Sequence, residues 1–238
     1  MRPLRGPVIL TGTDTAVGKT IVTAAMAAAA TQAGLRVAVV KPGQTGTAEE
    51  EETDAETVQR LAGPATVRTL ASYPDPLAPL TAARVSGLAP LVLADVLSAV
   101  EDLAADHELV LVEGAGGLFV QLGDGGWTVA DLAITLGAPA VVVARPGLGT
   151  LNHTALTLEA LDRRGVPARV VVGSWPDQPE LVHRTNLTDL TGELAGVVPD
   201  GVGGWQPAPF REQAAYWLAP ELHGTFDAEK FRGAVASL

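Results

Sequence analysis

Residues 12–20 read Gly-Thr-Asp-Thr-Ala-Val-Gly-Lys-Thr, a run whose chemistry is that of a loop built to hold a triphosphate. The common signature is Gly-x4-Gly-Lys-Ser/Thr. Here five residues separate Gly12 from Gly18, which makes the loop one residue longer. The physics is the same. Consecutive backbone N–H groups of the loop, among them those of Thr13, Ala16, Val17 and Gly18, curl around phosphate oxygens, and Gly18 allows a close approach. A helix opening near Lys19 adds its positive end. Lys19 then bridges the β and γ phosphates as a point charge, and the Thr20 hydroxyl is a ligand for Mg²⁺.

Three more residues could act beside that loop. Residues 109–117 read LVLVEGAGG, so an apolar run ends in Glu113 with Gly114, Ala115 and Gly116 leaving room for a ligand against the backbone. Glu113 suits a metal-directed acid, or else a cap for the following turn. Asp54 stands at the start of a helical stretch, where it can reach a metal or act as an N-cap. Lys41 follows the apolar run 36–40 and precedes Pro42, which fixes the chain direction. A lysine there can hold an anionic substrate or stabilise a transferring phosphoryl group, or it can be a surface lysine at a strand end. Lysines are very few in this chain, which adds weight to one at the strand ends.

The elements that position these residues alternate. Strands are expected at 8–11, 36–40, 109–112, 139–144, 168–172 and 195–198. Helices are expected at 19–33, 54–62, 91–105, 128–136, 152–164 and 180–192. Most of the strands are apolar on both faces, as buried parallel strands are. The pattern predicts one α/β domain over 1–238, a doubly wound, mostly parallel sheet with helices on both faces. Ligands of such sheets sit at the carboxyl ends of the strands, where every unusual motif of this chain falls. The acidic run Glu49–Glu52 reads as a solvated mobile loop, 201–209 (GVGGWQPAP) as irregular, and 201–238 as an appendage of the same domain.

A net charge of −11 disfavours general binding to nucleic acid. With no cysteine among 238 residues, disulfides, thiol catalysis and cysteine metal sites are excluded. No apolar run approaches the roughly 20 residues of a membrane helix and no signal-peptide pattern is present, so no membrane partner is expected and the cytoplasm is the expected compartment.

Taken in order and spacing, GTDTAVGKT, VVKPGQTG, TDAE, LVEGAGG and LGTLNH resemble the dethiobiotin synthetase family over about residues 8–200. The resemblance implies closure of a ureido ring on 7,8-diaminononanoate with CO2 or bicarbonate, ATP or another nucleoside triphosphate, and Mg²⁺. One amine forms a carbamate, the carbamate oxygen attacks the γ-phosphorus, and the second amine displaces phosphate from the mixed anhydride. By position it makes Thr20, Asp54 and Glu113 the Mg²⁺ set, Lys19 the phosphate lysine and Lys41 the catalytic lysine. It places Thr15, Lys41 and Thr45 on the substrate, and Gly149, Thr150, Leu151 and Asn152 on its carboxylate across the interface of a homodimer. Pro199, Asp200 and Gly201, with Gly173 and Ser174, lie near the nucleotide, and His153 is expected to be a packed, neutral histidine.

The chain departs from that pattern twice. Ala16 stands where many members carry an acid. Gly173-Ser174-Trp175 replaces an Asn-Asp pair that reads adenine, and Trp175 then offers a flat face for any base. Two other families share parts of this pattern. A cobyrinate-type amide synthetase usually brings a glutaminase domain and its cysteine, which this chain lacks. Partitioning or septum-site ATPases carry a lysine where Asp14 stands.

Overall fold

A computed structural model describes residues 2–48 and 52–237. Seven strands form one sheet: β1 (Gly6–Gly12), β2 (Val37–Thr45), β3 (Thr66–Tyr73), β4 (Leu109–Gly117), β5 (Ala140–Ala144), β6 (Ala168–Trp175) and β7 (Leu194–Pro199). Their order is β3-β2-β4-β1-β5-β6-β7, and each neighbouring pair is parallel. Nine helices join them among the described residues: α1 (Lys19–Gln32), α2 (Asp54–Leu61), α3 (Pro79–Ser86), α4 (Leu93–Asp106), α5 (Val129–Leu136), α6 (Thr150–Asp162), α7 (Leu181–Asp189), α8 (Pro207–Ala214) and α9 (Ala228–Ala236).

Alternation along the strands sorts the core into two layers. Val8 and Leu10 of β1 pack into one cluster with α1, α2, α7, α8 and α9, and Ile9 into the other with α4, α5 and α6. The same alternation runs through Val37 to Val40 and Leu109 to Val112, because successive side chains of a strand face opposite sides. In α1, Ala24 to Ala30 are all buried, and small side chains let this helix lie close on the sheet beneath the loop that precedes it. The fold class is therefore the one the sequence predicts.

Several boundaries differ. β2 does not stop at residue 40 but runs through Lys41 and Pro42 to Thr45. Its pairing with β4 ends at Val40 while β3 continues beside it to Thr45, so Pro42 costs no hydrogen bond to β4. β3 and α3 lie outside the segments the sequence pattern predicts. β3 has mixed polarity and partial exposure, as an edge strand does. α6 begins at Thr150, two residues earlier than expected. Within 201–209, helix α8 starts at Pro207, where a proline's missing N–H is harmless. Glu49, Glu50 and Glu51 of the acidic run lie outside the described residues, whereas Glu52 forms a salt bridge to Arg60 at 2.7 Å. Among the described residues no helix is long and apolar enough to cross a membrane.

Candidate active site

β1 lies between β4 and β5, and its end opens into the phosphate loop. Thr13 N donates to Val143 O of β5 at 2.9 Å, while the Thr13 hydroxyl is buried without a hydrogen-bond partner in the protein. The loop rests on the end of β6, where a Cβ on Gly173 would stand 2.2 Å from Val17 O, so only glycine fits. Gly18 caps α1 with φ 91°, in the region that favours glycine, and Ala16 has φ 54°.

Lys19 is buried, and its Nζ donates to Asp14 O at 2.9 Å, across the loop. Burial, and then the charge of Lys41, push the Lys19 ammonium down to about 8. The Asp14 carboxylate accepts from Thr15 N at 2.8 Å and from Arg145 at 2.7 Å. The Thr15 amide, followed by the Arg145 charge, holds its pKa below the usual value.

Glu113 sits beside Leu10 in register, and Lys41 follows Val40, the partner of Val112. Adjacent parallel strands thus place both side chains next to the loop. Lys41 Nζ lies 2.5 Å from Asp54 Oδ2 and 3.0 Å from Glu113 Oε1. It also donates to Gly114 O at 3.2 Å. Burial acts against the Lys41 charge, but Glu113 and Asp54 outweigh it and hold its pKa well above the ordinary value. For Asp54 burial raises the pKa, and Lys41 more than reverses that.

Asp54 is not the N-cap of α2. Thr53 is, in a capping box with Glu56, which leaves the Asp54 carboxylate free to face the loop. Thr20 Oγ1 lies 2.5 Å from Asp54 Oδ1 and 3.0 Å from Glu113 Oε1. One hydroxyl proton cannot serve both carboxylates. Oxygens richer in lone pairs than in protons therefore converge, a donor set that suits a hard divalent cation. No group of three or more His, Cys, Asp or Glu able to hold a metal occurs among the described residues. This set can thus supply two carboxylates and a hydroxyl, as Mg²⁺ sites that draw their other ligands from phosphates do.

A cavity of about 500 Å³ gathers Thr15, Ala16, Gly18, Lys19, Thr20, Lys41, Thr45, Asp54, Glu113, Ala115, Gly116 and Ser174. Most of the residues singled out by sequence meet there. Thr15, Thr45, Ala115 and Gly116 also line a second cleft of about 460 Å³, walled by Leu77, Pro79 and Val120. A third space of about 210 Å³ is lined by Gly18, Ile21, Ser174 and Pro199 to Gly204.

Other expectations fall elsewhere. Gly114 does not line the cavity, since a Cβ there would meet Val129 at 2.6 Å, although its carbonyl accepts from Lys41. Gly149, Thr150, Leu151 and Asn152 line none of these three spaces. Gly149 caps α6, Thr150 is buried, and Leu148 beside them is 87% exposed. His153 is exposed rather than packed, because it faces outward on the first turn of α6. Trp175 does not face the third space. It is buried, with Phe231 edge-on at 5.6 Å and His183 at 6.3 Å between centroids, so Ser174, at φ 55°, is the residue that borders it.

Three supporting residues escaped the sequence reading. Thr23 donates to Glu113 Oε2 at 2.7 Å, and its place four residues after Lys19 on one helix face was a usable signal. Gln44 is buried, and its Oε1 accepts from Asp54 N at 3.3 Å. Asn186 donates to Pro146 O and Gly147 O, each at 3.0 Å, and fixes the turn before α6. Asn186 joins segments about 40 residues apart and leaves no local pattern.

Residues 7–200 match a family model described as an AAA domain. The chain is 52% identical over 231 residues to the ATP-dependent dethiobiotin synthetase of Streptomyces avermitilis, covering 95% of this chain and 97% of the relative. It is 56% identical over 215 residues to that of Rhodococcus jostii, covering 88% and 93%. Among solved structures it is similar to the septum site-determining protein MinD of Pyrococcus horikoshii, with TM-score 0.55 and 16% identity over 98% of this chain and 95% of that one. That likeness concerns the fold alone.

Proposed function

Since the chain belongs to the AAA-domain family and, within it, to the ATP-dependent dethiobiotin synthetases, we propose that the cavity around Lys19, Lys41, Asp54 and Glu113 is where it closes the ureido ring. The protein is a dethiobiotin synthetase, a ligase of biotin biosynthesis that couples ring closure to hydrolysis of a nucleoside triphosphate. The observation that carries the assignment of the site is the meeting of two buried lysines with two carboxylates in one cavity at the strand ends.

The substrates are 7,8-diaminononanoate and CO2. The cleft that shares Thr15 and Thr45 with the phosphate cavity takes the diamine, and Leu77, Pro79 and Val120 give its alkyl chain an apolar wall. One amine adds to CO2 and loses a proton, giving a carbamate. A carbamate oxygen attacks the γ-phosphorus and the nucleoside diphosphate leaves. The second amine attacks the carbonyl carbon of the mixed anhydride, the C–O bond to phosphate breaks, and the ring closes with loss of a second proton.

No protein nucleophile is required, so the chain contributes position and charge. Lys19 binds the β and γ phosphates, and Lys41 balances negative charge at the carbamate and the transferring group. Thr20, Asp54 and Glu113 hold Mg²⁺, which when bound neutralises charge on the phosphate oxygens. The 210 Å³ space beside Gly18 and Ser174 takes the base. The turn Leu148–Asn152 lies away from these spaces and serves the substrate carboxylate of a second subunit, which makes the working form a homodimer. The absence of a membrane-spanning helix among the described residues is in keeping with work in the cytoplasm.

The test is direct. Purified protein with ATP, Mg²⁺, bicarbonate and the diamine should form dethiobiotin and phosphate in equal amounts, and phosphate release should nearly stop when the diamine is left out. Equal phosphate release with and without diamine would overturn the coupled mechanism.

A further inference from the structure

One stretch of the wall of the 210 Å³ space, residues 201–204, is mostly bare backbone. Gly201, Gly203 and Gly204 bring no side chains to it, and Val202 is buried in the core. A wall of this kind keeps its shape only through the hydrogen bonds of its peptide groups. Two of these are internal, Gly204 N to Gly201 O and Trp205 N to Val202 O, each 3.1 Å.

Two more come from one side chain on α2. Arg60 Nη2 donates to Gly203 O at 3.2 Å and Arg60 Nη1 to Trp205 O at 3.4 Å. The same guanidinium grips Glu52 along one edge, Nε to Oε1 at 2.7 Å and Nη2 to Oε2 at 2.8 Å. Thr57 Oγ1 also donates to Glu52 Oε2 at 3.0 Å. Glu52 stands two residues before Asp54. One planar cation thus links the segment that delivers Asp54 to the wall of the neighbouring space.

Arg60 is not needed to dock α2 onto α8. Arg211 does that, donating from Nε to Leu61 O at 2.9 Å and from Nη2 to Arg60 O at 3.2 Å. The Arg60 side chain is left with a different task. We propose that Arg60 is a positioning residue for the nucleotide base: it holds the 203–205 carbonyls in place and so sets how well the base is gripped, without touching the reacting atoms. This inference rests on the assignment of the 198–204 space to the base.

The test is steady-state kinetics of the full-length protein with Mg²⁺, in which nucleotide and diamine are varied separately. Inorganic tripolyphosphate serves as a competing ligand that has phosphates and no base. For Arg60→Ala the nucleotide KM should rise about three- to tenfold, the loss expected for charge-assisted hydrogen bonds at a partly solvated site. kcat, the diamine KM and inhibition by tripolyphosphate should stay within about twofold. Arg60→Lys keeps the charge but not the fork and should stay near the alanine variant.

Gly204→Phe checks the assignment of the space independently. Nothing lies within 4 Å of where a Cβ would stand at Gly204, so the larger side chain can be accommodated. It should weaken nucleotide binding while sparing tripolyphosphate. If Gly204→Phe weakens the nucleotide but Arg60→Ala leaves its KM unchanged, the role of Arg60 is overturned and the base site stands. If Gly204→Phe has no effect on the nucleotide, the base site itself is wrong and the inference falls with it. A parallel loss of kcat and tripolyphosphate binding in Arg60→Ala would show that Arg60 acts through Asp54, which also overturns the proposal.

Discussion

The ammonium of Lys41 stands 2.5 Å from Asp54 Oδ2, so a cation of the chain itself is in contact with one of the two carboxylates assigned to Mg²⁺. Glu113, the second, lies 3.0 Å from the same nitrogen. Lys41 is 5% exposed and Glu113 1%, and charges so placed are stable only when paired. Lys41, Asp54 and Glu113 are therefore one electrostatic unit, and a change in one member is felt by the others.

Replacing Lys41 separates its two tasks. Lys41→Gln should lower kcat by about 10²-fold, the scale of losing one group that stabilises developing charge. The nucleotide dissociation constant should change by no more than about threefold. The same variant should unfold at lower temperature, because removing one partner of a buried pair costs about 3 kcal/mol. Saturation kinetics, nucleotide titration and thermal unfolding read the three effects. Weak nucleotide binding with normal turnover at saturation would refute the catalytic role.

Lys19 carries a charge that burial opposes, and its pKa lies near 8 against an ordinary value of 10.5. Below pH 8 it is charged in both the folded and unfolded chain, and the folded chain bears the full cost. Between about 8 and 10.5 the unfolded chain binds more protons, so this contribution to stability rises with pH. Lys19→Met, assayed without nucleotide, should therefore be more stable than the parent at pH 7, by at most about 3 kcal/mol. The gap should narrow from pH 8 to 10.5, and turnover should be lost throughout. Denaturant melts across that range test the sign, and substantial activity in the variant would overturn the phosphate-loop assignment.

The turn before α6 predicts the working assembly. Leu148 is 87% exposed while Asn186 holds the carbonyls beside it, an apolar side chain on a fixed support. Light scattering should give about twice the chain mass of 24.4 kDa. Leu148→Asp should yield monomers that bind nucleotide and lose the diamine. A fully active monomer would refute the shared site.

Base choice should be loose. The space beside Ser174 is lined by that hydroxyl residue, by Asp200 and by backbone groups, with no side-chain amide to pair with adenine, and Trp175 is engaged elsewhere. Specificity constants for ATP, CTP, GTP and UTP should fall within about tenfold of one another, since water can satisfy what the base leaves unpaired. A strong preference for ATP would show that backbone atoms near Gly173 or Pro199 read adenine.

The phosphate loop, Lys41 and Glu113 are legible in sequence because each directly follows an apolar strand run, and a parallel sheet brings the carboxyl sides of such runs together. Asp54 is legible as a helix start, but its freedom from capping depends on the capping box of Thr53 and Glu56. β3 was missed because its exposed edge breaks the apolar run. Trp175 was misread because only the fold shows Phe231, 56 residues on, covering its ring. His153 fails for the same reason, since helical phase decides which face of α6 is outward.

The strand order has a consequence for synthesis of the chain. β1 carries Val8, Ile9 and Leu10, all fully buried, yet its neighbours are β4 and β5. About 100 further residues must be made before β4 is complete, roughly 5–20 s at ordinary rates of translation. Through that interval the apolar β1 segment lacks both of the strands it pairs with in the sheet. The geometry that puts the phosphate loop at the middle of the sheet thus also makes the first strand the one that waits longest for both of its neighbours.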